Sequence, residues 1–543
     1  MIHNPILPGF NPDPSICRVG GDYYIATSTF EWYPGVQIHH SRDLVNWRLV
    51  ARPLKRASQL DMRGNPDSGG IWAPCLSHAD GLFWLVYTDV KRLAGSFKDT
   101  HNYVVTSTDI EADWSDPIYV NSSGFDPSLF HDDDGRKWFM NMQWNHRGPG
   151  TGANPAHASF DGILLQEWSP DAGLIGSPRN IYPGTSRGLT EAPHIFKRNG
   201  YYYLTTAEGG TGYAHAVSLA RSRNIFGPYE NHPARHVITA ADAPDHPIQR
   251  TGHGQYVETP EGEAYHTFLM GRPLPGRFCP MGRETGIERC IWGEDDWLYL
   301  EKGGVLPRAI VPLASAVERV APKGVVKTCF DTGRLPLEFQ WLRTPYPERL
   351  FRLEPGALVL TGRESPGSWF EQSLVARRQE HGIYRASTRL EFQPDTYQQG
   401  AGLVTYYNRY KFHGVVVTAR ADGGRCLQLL SSTGDYPDGA LTPGESPADL
   451  AEGPVELAVD VCEDRQTFRW RQPGRDWIRI GPVLDASLIS DEGPPGEHQS
   501  FTGAFVGMIA FDLTGRAGEA RFSMFEYQAM PAAAAEGAAA RGG

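Results

Sequence analysis

Short apolar runs separated by turn signals recur as a repeat over roughly the first 300 residues of the chain. Each repeat opens on a short apolar strand, turns at a pair such as Asp-Gly or Asn-Gly, and returns through a strand rich in aromatic residues. Such pairs between apolar runs are strong signals for β-hairpins. The openings lie at Asp13, Ala73, Asp126, Glu191 and His253. Each repeat is long enough for about four strands, so the pattern predicts a five-bladed β-propeller over residues 1–320.

The repeat ends after residue 320, and the pattern changes. Residues 325–530 alternate apolar and polar positions in short runs, of which residues 414–417 and 455–459 are examples. Alternation with a period of two is typical of half-buried antiparallel strands. We therefore expect a second, all-β domain, a β-sandwich, over residues 325–530. Residues 531–543 are dominated by alanine and glycine, which predicts a disordered tail.

Composition and charge narrow the range of functions. The 60 glycines and 42 prolines among 543 residues favour many strands joined by turns. A formal net charge of −12 argues against a nucleic-acid partner, which would call for a basic patch. No apolar run reaches the roughly 18 to 20 residues that span a bilayer. The first residues lack the basic and apolar regions of a signal peptide, and the 7 cysteines form no CxxC motif. We expect a cytoplasmic protein without a membrane partner, a disulfide framework or a zinc site.

Acidic residues stand at three of the five repeat openings, at Asp13, Asp126 and Glu191. Equivalent positions in a propeller face the same channel, so the repeat predicts that these carboxylates converge. Turn chemistry explains any one Asp-Pro pair by itself. Three buried like charges, however, are costly and must raise at least one pKa. Opposed carboxylates in a cleft are the groups that glycoside hydrolysis requires. We interpret the three as a catalytic site.

Two other features are weaker. Trp72 and Trp144, near the predicted channel mouth, have the flat faces on which sugar rings stack, although either could be core packing. Residues 184–188 read Gly-Thr-Ser-Arg-Gly and match the nucleophile-elbow pattern Gly-x-Ser-x-Gly. That motif requires a strand before it and a helix after it, and no helical pattern follows here. We therefore expect no nucleophilic serine in this segment.

Long motifs in the chain resemble the β-xylosidases of glycoside hydrolase family 43, from about residue 3 to residue 530. The segments that carry the resemblance are 11–15 (Asn-Pro-Asp-Pro-Ser), 28–32 (Ser-Thr-Phe-Glu-Trp), 124–135 (Gly-Phe-Asp-Pro-Ser-Leu-Phe-His-Asp-Asp-Asp-Gly), 190–194 (Thr-Glu-Ala-Pro-His) and 282–285 (Gly-Arg-Glu-Thr). The resemblance implies an inverting exo-acting hydrolase that releases D-xylose from the non-reducing end of β-1,4-xylooligosaccharides such as xylobiose.

The resemblance also assigns roles to individual residues. Asp13 corresponds to the general base, Glu191 to the general acid, and Asp126 to a third carboxylate that tunes and holds the acid. Arg283 corresponds to an arginine that contacts the sugar in the deep subsite. The positions that match pocket-lining residues are Phe30, Trp72, Trp144, Thr211 and His253. In such enzymes the sandwich domain lends an aromatic side chain to the pocket, for which Phe501 and Phe505 are the candidates.

The same resemblance bears on cofactors and partners. No cofactor is expected to be required, but some relatives carry a divalent cation in the channel with a histidine as its single protein ligand. In this chain that ligand would be His253, and the bound ion would be calcium or magnesium. The expected partner is a small xylooligosaccharide, and the expected assembly is a homo-oligomer, either a dimer or a tetramer.

Three other functions are compatible with parts of the pattern. An α-L-arabinofuranosidase, or an enzyme with both activities, would bind a sugar of similar hydroxyl geometry. A retaining fructan-processing propeller usually shows Arg-Asp-Pro in the middle blade, whereas Phe125 precedes Asp126 here. A non-catalytic sugar-binding propeller would repeat its site in every blade, whereas two of the five openings here carry no acid.

Overall fold

The computed structural model describes residues 1–148, 151, 159–313, 316–321, 324–434, 436–438, 442–443, 450–496 and 500–531. The chain forms two compact units. The first consists of Met1–Leu60, Gly69–Arg272 and Arg283–Val320, and the second of Asp61–Ser68, Pro273–Gly282 and Ala321–Gly543. The predicted tail lies outside the described residues from position 532 onward.

Five antiparallel sheets make up most of the first unit, and each corresponds to one sequence repeat. From the channel outward, the first sheet consists of Ser15–Val19, Asp22–Thr27, Gln37–Ser41 and Arg48–Ala51, and the second of Gly70–Ala79, Leu82–Arg92, Asp99–Ser107 and Ile118–Asn121. The third sheet consists of Ser128–His131, Lys137–Trp144, Phe160–Ser169 and Gly173–Tyr182. The fourth consists of Glu191–Arg198, Tyr201–Glu208, Ala216–Ser222 and Glu230–Thr239. The first strand of each sheet contacts the neighbouring sheets around a closed ring. The predicted five-bladed propeller is confirmed.

The fifth blade departs from the regular pattern. Its strands are Gln249–Gly252 and Tyr256–Glu258, which both pair with Ala264–Gly271, followed by Glu284–Trp292 and Leu298–Leu300. Here a glycine, Gly254, stands where the other openings have proline. A Cβ atom at Gly254 would lie 1.8 Å from the carbonyl oxygen of Thr267, so the backbone packs too closely for any side chain.

The ring is closed by the start of the chain. Ile2–His3 pairs with Ile310–Val311, and Leu7 forms a β-bridge with Thr285 of the fifth blade. The side chain of Asn4 adds three hydrogen bonds: its amide donates to the carbonyls of Ile287 and Arg308, and its oxygen accepts from the N–H of Ile287. The two ends of the propeller sequence are therefore joined through the last blade.

The first unit also contains the two-residue strand Trp32–Tyr33.

The second unit contains two antiparallel sheets and one short 3₁₀ helix, Pro347–Arg349. One sheet has the order Phe351–Glu354, Ala357–Thr361, Glu519–Ala529, Ile383–Glu391, Val455–Cys462, Arg465–Arg471 and Ile478–Asp485, with Val325–Thr328 also pairing with Glu519–Ala529. The other has the order Thr442–Pro443, Arg425–Thr433, Lys411–Ala419, Gln399–Asn408, Phe505–Asp512, Ser373–Arg378 and Phe339–Leu342. The predicted all-β sandwich is confirmed.

Two short segments that the sequence pattern places in the propeller belong instead to the second unit. In segment 61–68, Asp67 is buried and accepts hydrogen bonds from Arg343 at 2.7 Å and from Arg409 at 3.0 Å. In segment 273–282, the N–H of Ala504 donates to the carbonyl of Pro280. These partners lie hundreds of residues away along the chain, so the repeat pattern carries no signal for them. Among the described residues, no helix is long and apolar enough to cross a membrane.

Candidate active site

The openings of the inner strands share an unusual backbone conformation. Left-handed φ angles of 58°, 35°, 55°, 53° and 36° occur at Asp13, Ala73, Asp126, Ala192 and His253, respectively. Each of these residues directly precedes a proline or, in the fifth blade, Gly254. Non-glycine residues in this region store strain of about 1–3 kcal/mol each, and such strain clusters at functional sites. The repeat therefore bends the chain at the same point in every blade.

This register corrects one part of the sequence interpretation. The residue of the fourth blade that is equivalent to Asp13 and Asp126 is Ala192, and Glu191 lies one position before it. Aligning the repeats on their prolines instead of their acids would have shown the offset. Glu191 is also the first residue of its strand, where it pairs with Ala207. The third acid therefore enters the site from a different backbone position than the two aspartates.

Asp13 is held as a carboxylate by groups from three parts of the propeller. Its Oδ2 accepts a hydrogen bond from Ser28 Oγ at 2.6 Å, and its Oδ1 accepts one from Arg283 Nη1 at 3.0 Å. His253 Nδ1 lies 3.7 Å from the same Oδ1. Burial by itself would raise the pKa of Asp13, but the charge of Arg283, the proximity of His253 and the Ser28 hydrogen bond together hold it below its ordinary value.

Asp126 and Glu191 have the opposite electrostatic character. Both are buried, and Asp126 Oδ2 accepts a hydrogen bond from the N–H of Ala192 at 3.1 Å, next to Glu191. Burial, followed by the charge of Asp126 and then that of Asp13, raises the pKa of Glu191 well above its ordinary value. Burial and the charge of Asp13 likewise raise the pKa of Asp126. The two groups titrate together, so their apparent pKa values belong to the pair.

An arc of aromatic rings lies beside these acids. The Arg283 guanidinium lies 5.2 Å from the ring centre of Phe30, which is itself 5.9 Å from Trp72. Trp72 then meets Phe125 edge to face at 5.3 Å, and Phe125 is 6.1 Å from Trp144. Phe30 and Phe125 are buried, whereas Trp72 and Trp144 are half-buried. The two tryptophans therefore keep exposed surface on which an apolar sugar face could stack.

His253 is buried, and burial lowers its pKa to about 4. The imidazole is therefore neutral near pH 7, which is the form that binds a metal ion. No group of three or more histidine, cysteine or acidic side chains in the described part of the chain could hold a metal ion. A neutral imidazole at His253 fits a cation that is otherwise held by water, and the binding of such an ion stays a prediction.

The remaining predicted site residues occupy different surroundings. Thr211 is half-buried in the loop after Tyr201–Glu208, where its carbonyl accepts a hydrogen bond from Arg250 Nε at 3.1 Å. Phe505 is fully buried in the strand Phe505–Asp512, with the Arg378 guanidinium 5.1 Å from its ring centre. Phe501 is half-buried, and its N–H donates to Ser68 Oγ. The expectation that one of these phenylalanines lines the pocket stays a prediction.

Sequence reasoning assigned no role in the site to Ser28 or Phe125, although both lie in segments that carry the family resemblance. Ser28 holds Asp13 and also accepts a hydrogen bond from the N–H of Ala73 at 2.7 Å, and so links the first two blades. Phe125 completes the aromatic arc between the two tryptophans. The available signal for Ser28 was its place in the motif of residues 28–32. Phe125 lies in the motif of residues 124–135, but its contacts with the two tryptophans depend on the packing of two blades.

Comparison with known proteins identifies the same two parts of the chain. Residues 2–298 match the family model of glycosyl hydrolases family 43. Residues 327–528 match the model of the beta xylosidase C-terminal Concanavalin A-like domain. Both matches agree with the propeller and the sandwich described above.

Similar proteins cover the chain almost from end to end. A xylosidase/arabinosidase 43B from Humicola insolens is 57% identical over 97% of this chain and 98% of its own length. A beta-xylosidase from Bacillus subtilis (strain 168) is 46% identical over 97% of this chain and 99% of its own. The solved structure of a xylan beta-1,4-xylosidase from Bacillus Halodurans C-125 superposes with a TM-score of 0.92, at 48% identity over 97% of this chain and 100% of that one. The chain therefore belongs to glycosyl hydrolases family 43.

Proposed function

We propose that this glycoside hydrolase is an exo-acting β-xylosidase that releases D-xylose from the non-reducing end of β-1,4-xylooligosaccharides such as xylobiose, with inversion of configuration. The observation that carries the proposal is the opposite electrostatic character of the buried acids. The pKa of Asp13 is lowered and that of Glu191 is raised, which is the division between a general base and a general acid. The names of the relatives support xylosides as the substrate class.

In this mechanism Glu191 donates its proton to the oxygen of the leaving group while Asp13 takes a proton from the attacking water. Arg283 and Ser28 each donate a hydrogen bond to Asp13, which favours its ionised form and fixes its orientation. Asp126 opposes ionisation of Glu191 and fixes the backbone beside it through the N–H of Ala192. An inverting enzyme needs its two acids about 6.5–9.5 Å apart to admit the water, and this separation is our prediction for Asp13 and Glu191.

The rest of the pocket binds the sugar. Arg283, beside Phe30, presents guanidinium N–H groups that would contact hydroxyls of the terminal sugar. Trp72 and Trp144 would stack on sugar rings, while Thr211, His253 and one of Phe501 and Phe505 would complete the lining. α-L-Arabinofuranosidase activity is the second candidate, because one similar protein is named a xylosidase/arabinosidase and another a non-reducing end alpha-L-arabinofuranosidase. The ratio of kcat/KM for nitrophenyl xyloside and arabinofuranoside measures the balance.

We also propose that catalysis requires no cofactor. A calcium or magnesium ion bound by His253 and water would add positive charge near Asp13, but no step depends on it. Dialysis against a chelator should therefore leave measurable turnover, and added calcium or magnesium should change the rate without being essential. Complete loss of activity on chelation, with recovery on adding the metal, would contradict this proposal.

Three further properties of the protein belong to the proposal. We propose a cytoplasmic location, a small xylooligosaccharide as the only partner besides the chain itself, and a homo-oligomeric state, either dimer or tetramer. Light scattering coupled to size-exclusion chromatography measures the mass directly. A mass of one chain across the working concentration range would exclude the oligomer.

Two leaving groups test the assignment of the acid. Glu191→Ala should lower kcat/KM strongly on xylobiose, whose leaving sugar needs a proton, and far less on dinitrophenyl xyloside, whose leaving group needs none. Asp13→Ala should abolish turnover of both substrates, because both need the water to be activated. Proton NMR of the first-formed xylose should show the α-anomer. Initial β-xylose, or equal losses on both substrates for Glu191→Ala, would overturn the mechanism.

A further inference from the structure

Another buried carboxylate, Glu208, lies in the same blade as Glu191 and is not one of the three acids of the proposed site. It ends the strand Tyr201–Glu208, next to the strand that begins at Glu191, and it is 0% exposed. Its Oε1 accepts hydrogen bonds from Thr185 N at 2.6 Å and from Thr190 Oγ1 at 3.0 Å. Its Oε2 accepts from Thr185 Oγ1 and from Ser218 Oγ, both at 2.6 Å. An ionised carboxylate has about four lone-pair sites, so these donors match its capacity.

A polar chain behind Glu208 fixes the direction of these hydrogen bonds. Arg187 Nε donates to His236 Nε2 at 2.8 Å, so this nitrogen is an acceptor. Burial, followed by the charge of Arg187, lowers the pKa of His236, which is therefore neutral and carries its proton on Nδ1. His236 Nδ1 lies 3.0 Å from Ser218 Oγ, to which it donates, and Ser218 in turn donates to Glu208. Each group has one consistent role, with Glu208 as the final acceptor.

The network holds the loop that leads into Glu191. This loop, residues 184–190, contains the Gly-Thr-Ser-Arg-Gly segment that had no catalytic context in the sequence. Three residues of the network, Thr185, Arg187 and Thr190, belong to this loop. Two further bonds connect it to the loop that carries Thr211: Gly209 N donates to Gly188 O at 2.7 Å, and Arg187 Nη1 donates to Ala214 O at 3.0 Å.

The loop has little freedom of its own around this carboxylate. A Cβ atom at Gly184, whose φ is +86°, would lie 1.8 Å from Thr190 Oγ1 and 3.0 Å from Glu208 Oε1. The two ends of the loop therefore close tightly over Glu208. Because Thr190 is covalently adjacent to Glu191, displacing Thr190 displaces the backbone of the proposed acid.

We propose that Glu208 is a positioning residue for the general acid: through Thr185 and Thr190 it holds loop 184–190 in the conformation that directs Glu191 at the leaving-group oxygen. The inference rests on the proposed function, because it takes Glu191 as the acid. Glu208 acts through the loop and touches no reacting atom. Replacing Glu208 should therefore lower activity in the same substrate-dependent way as replacing Glu191, but less strongly.

The variant that tests this is Glu208→Gln, which keeps the volume but replaces one acceptor oxygen with a donor. If the amide nitrogen faces Thr190 Oγ1, it also faces Thr185 N–H, which cannot accept. If it faces Ser218 Oγ and Thr185 Oγ1, neither hydroxyl can donate to it, so both lose the acceptor of their protons. A displacement of a reacting group by about 1 Å costs on the order of 100-fold in rate. We expect kcat on xylobiose to fall at least about ten-fold more than kcat on dinitrophenyl xyloside.

Glu288→Gln is the matched control. Glu288 is a buried carboxylate of the fifth blade that accepts hydrogen bonds from Arg308, far along the chain from loop 184–190. Glu288→Gln should lower the stability of the protein and change kcat on xylobiose and on dinitrophenyl xyloside by the same factor. Equal losses for Glu208→Gln as well, together with the expected split for Glu191→Ala, would overturn the positioning role and leave the acid assignment intact. If Glu191→Ala lowered activity on both substrates equally, the assignment of Glu191 as the acid would itself be wrong.

A second pair of variants removes one hydrogen bond if Glu208→Gln fails to fold. Thr190→Val keeps the shape of the side chain but loses the donor to Glu208, whereas Thr190→Ser keeps the hydroxyl. We expect the substrate-dependent loss in Thr190→Val and its rescue in Thr190→Ser. Thr88→Val serves as the control, because it removes a buried hydroxyl of the second blade that donates to Asn102. It should change activity on the two substrates by the same factor. Identical behaviour of Thr190→Val and Thr88→Val would also overturn the proposal.

Discussion

At the scale of single residues, the proposed roles of Asp126 and Glu191 predict the alkaline limit of activity. The acid must be protonated, and its pKa is raised by burial and then by the charge of Asp126. Asp126→Asn removes that charge with little change of shape, so Glu191 loses its proton at lower pH. The alkaline limb of kcat/KM against pH should therefore move down by about one unit or more. An unmoved alkaline limb with near-normal activity would make Asp126 a turn residue only.

The proposed role of Asp13 as the base predicts that the acidic limit depends on it in the opposite sense. The base must be ionised, and Ser28 Oγ supports that form with a hydrogen bond of 2.6 Å. Ser28→Ala removes this support, so the pKa of Asp13 rises and the acid limb moves to higher pH. A hydrogen bond to a charged group contributes about 1.5–3 kcal/mol, which corresponds to about one to two pKa units. Ser107→Ala, at a buried serine of the second blade, should leave the acid limb where it is.

At the scale of the element, the bend at the start of each inner strand is the repeated unit. Ala73 adopts it with a φ of 35° in a blade whose opening carries no acid. A β-branched side chain is strongly disfavoured in this region, whereas glycine adopts it freely. Ala73→Val should therefore destabilise the protein by about 1–3 kcal/mol relative to Ala73→Gly. Thermal or denaturant unfolding of the two variants compares them directly, and equal stabilities would show that the bend does not require this conformation.

Closure of the propeller ring is a property of the whole molecule. Asn4 makes three hydrogen bonds to backbone groups near residues 287 and 308. Leaving such partners unsatisfied costs about 1–3 kcal/mol per buried group. Asn4→Ala should therefore lower Tm by several degrees. Gln166→Ala loses one exposed hydrogen bond in the third blade and should lower Tm much less. Equal shifts for the two variants would argue that Asn4 does not stabilise the closure.

The sequence by itself determined the architecture and the kind of chemistry. Hairpin signals, the five-fold recurrence of apolar runs and the change to simple alternation are local properties, so they predicted the propeller and the sandwich without knowledge of packing. The acids at Asp13, Asp126 and Glu191 were found in the same way. The family motifs around them pointed to the family that the comparisons confirmed.

Only the tertiary structure decided how those residues work. The left-handed bends show that Glu191 lies one position before the residues equivalent to Asp13 and Asp126. The opposite pKa shifts arise from burial and from Arg283, which is 270 residues from Asp13 along the chain. Glu208 likewise acquires its role only when separate segments meet around it. Strand patterns depend on neighbouring residues, whereas a pKa or a hydrogen-bond network depends on groups that only the folded chain brings together.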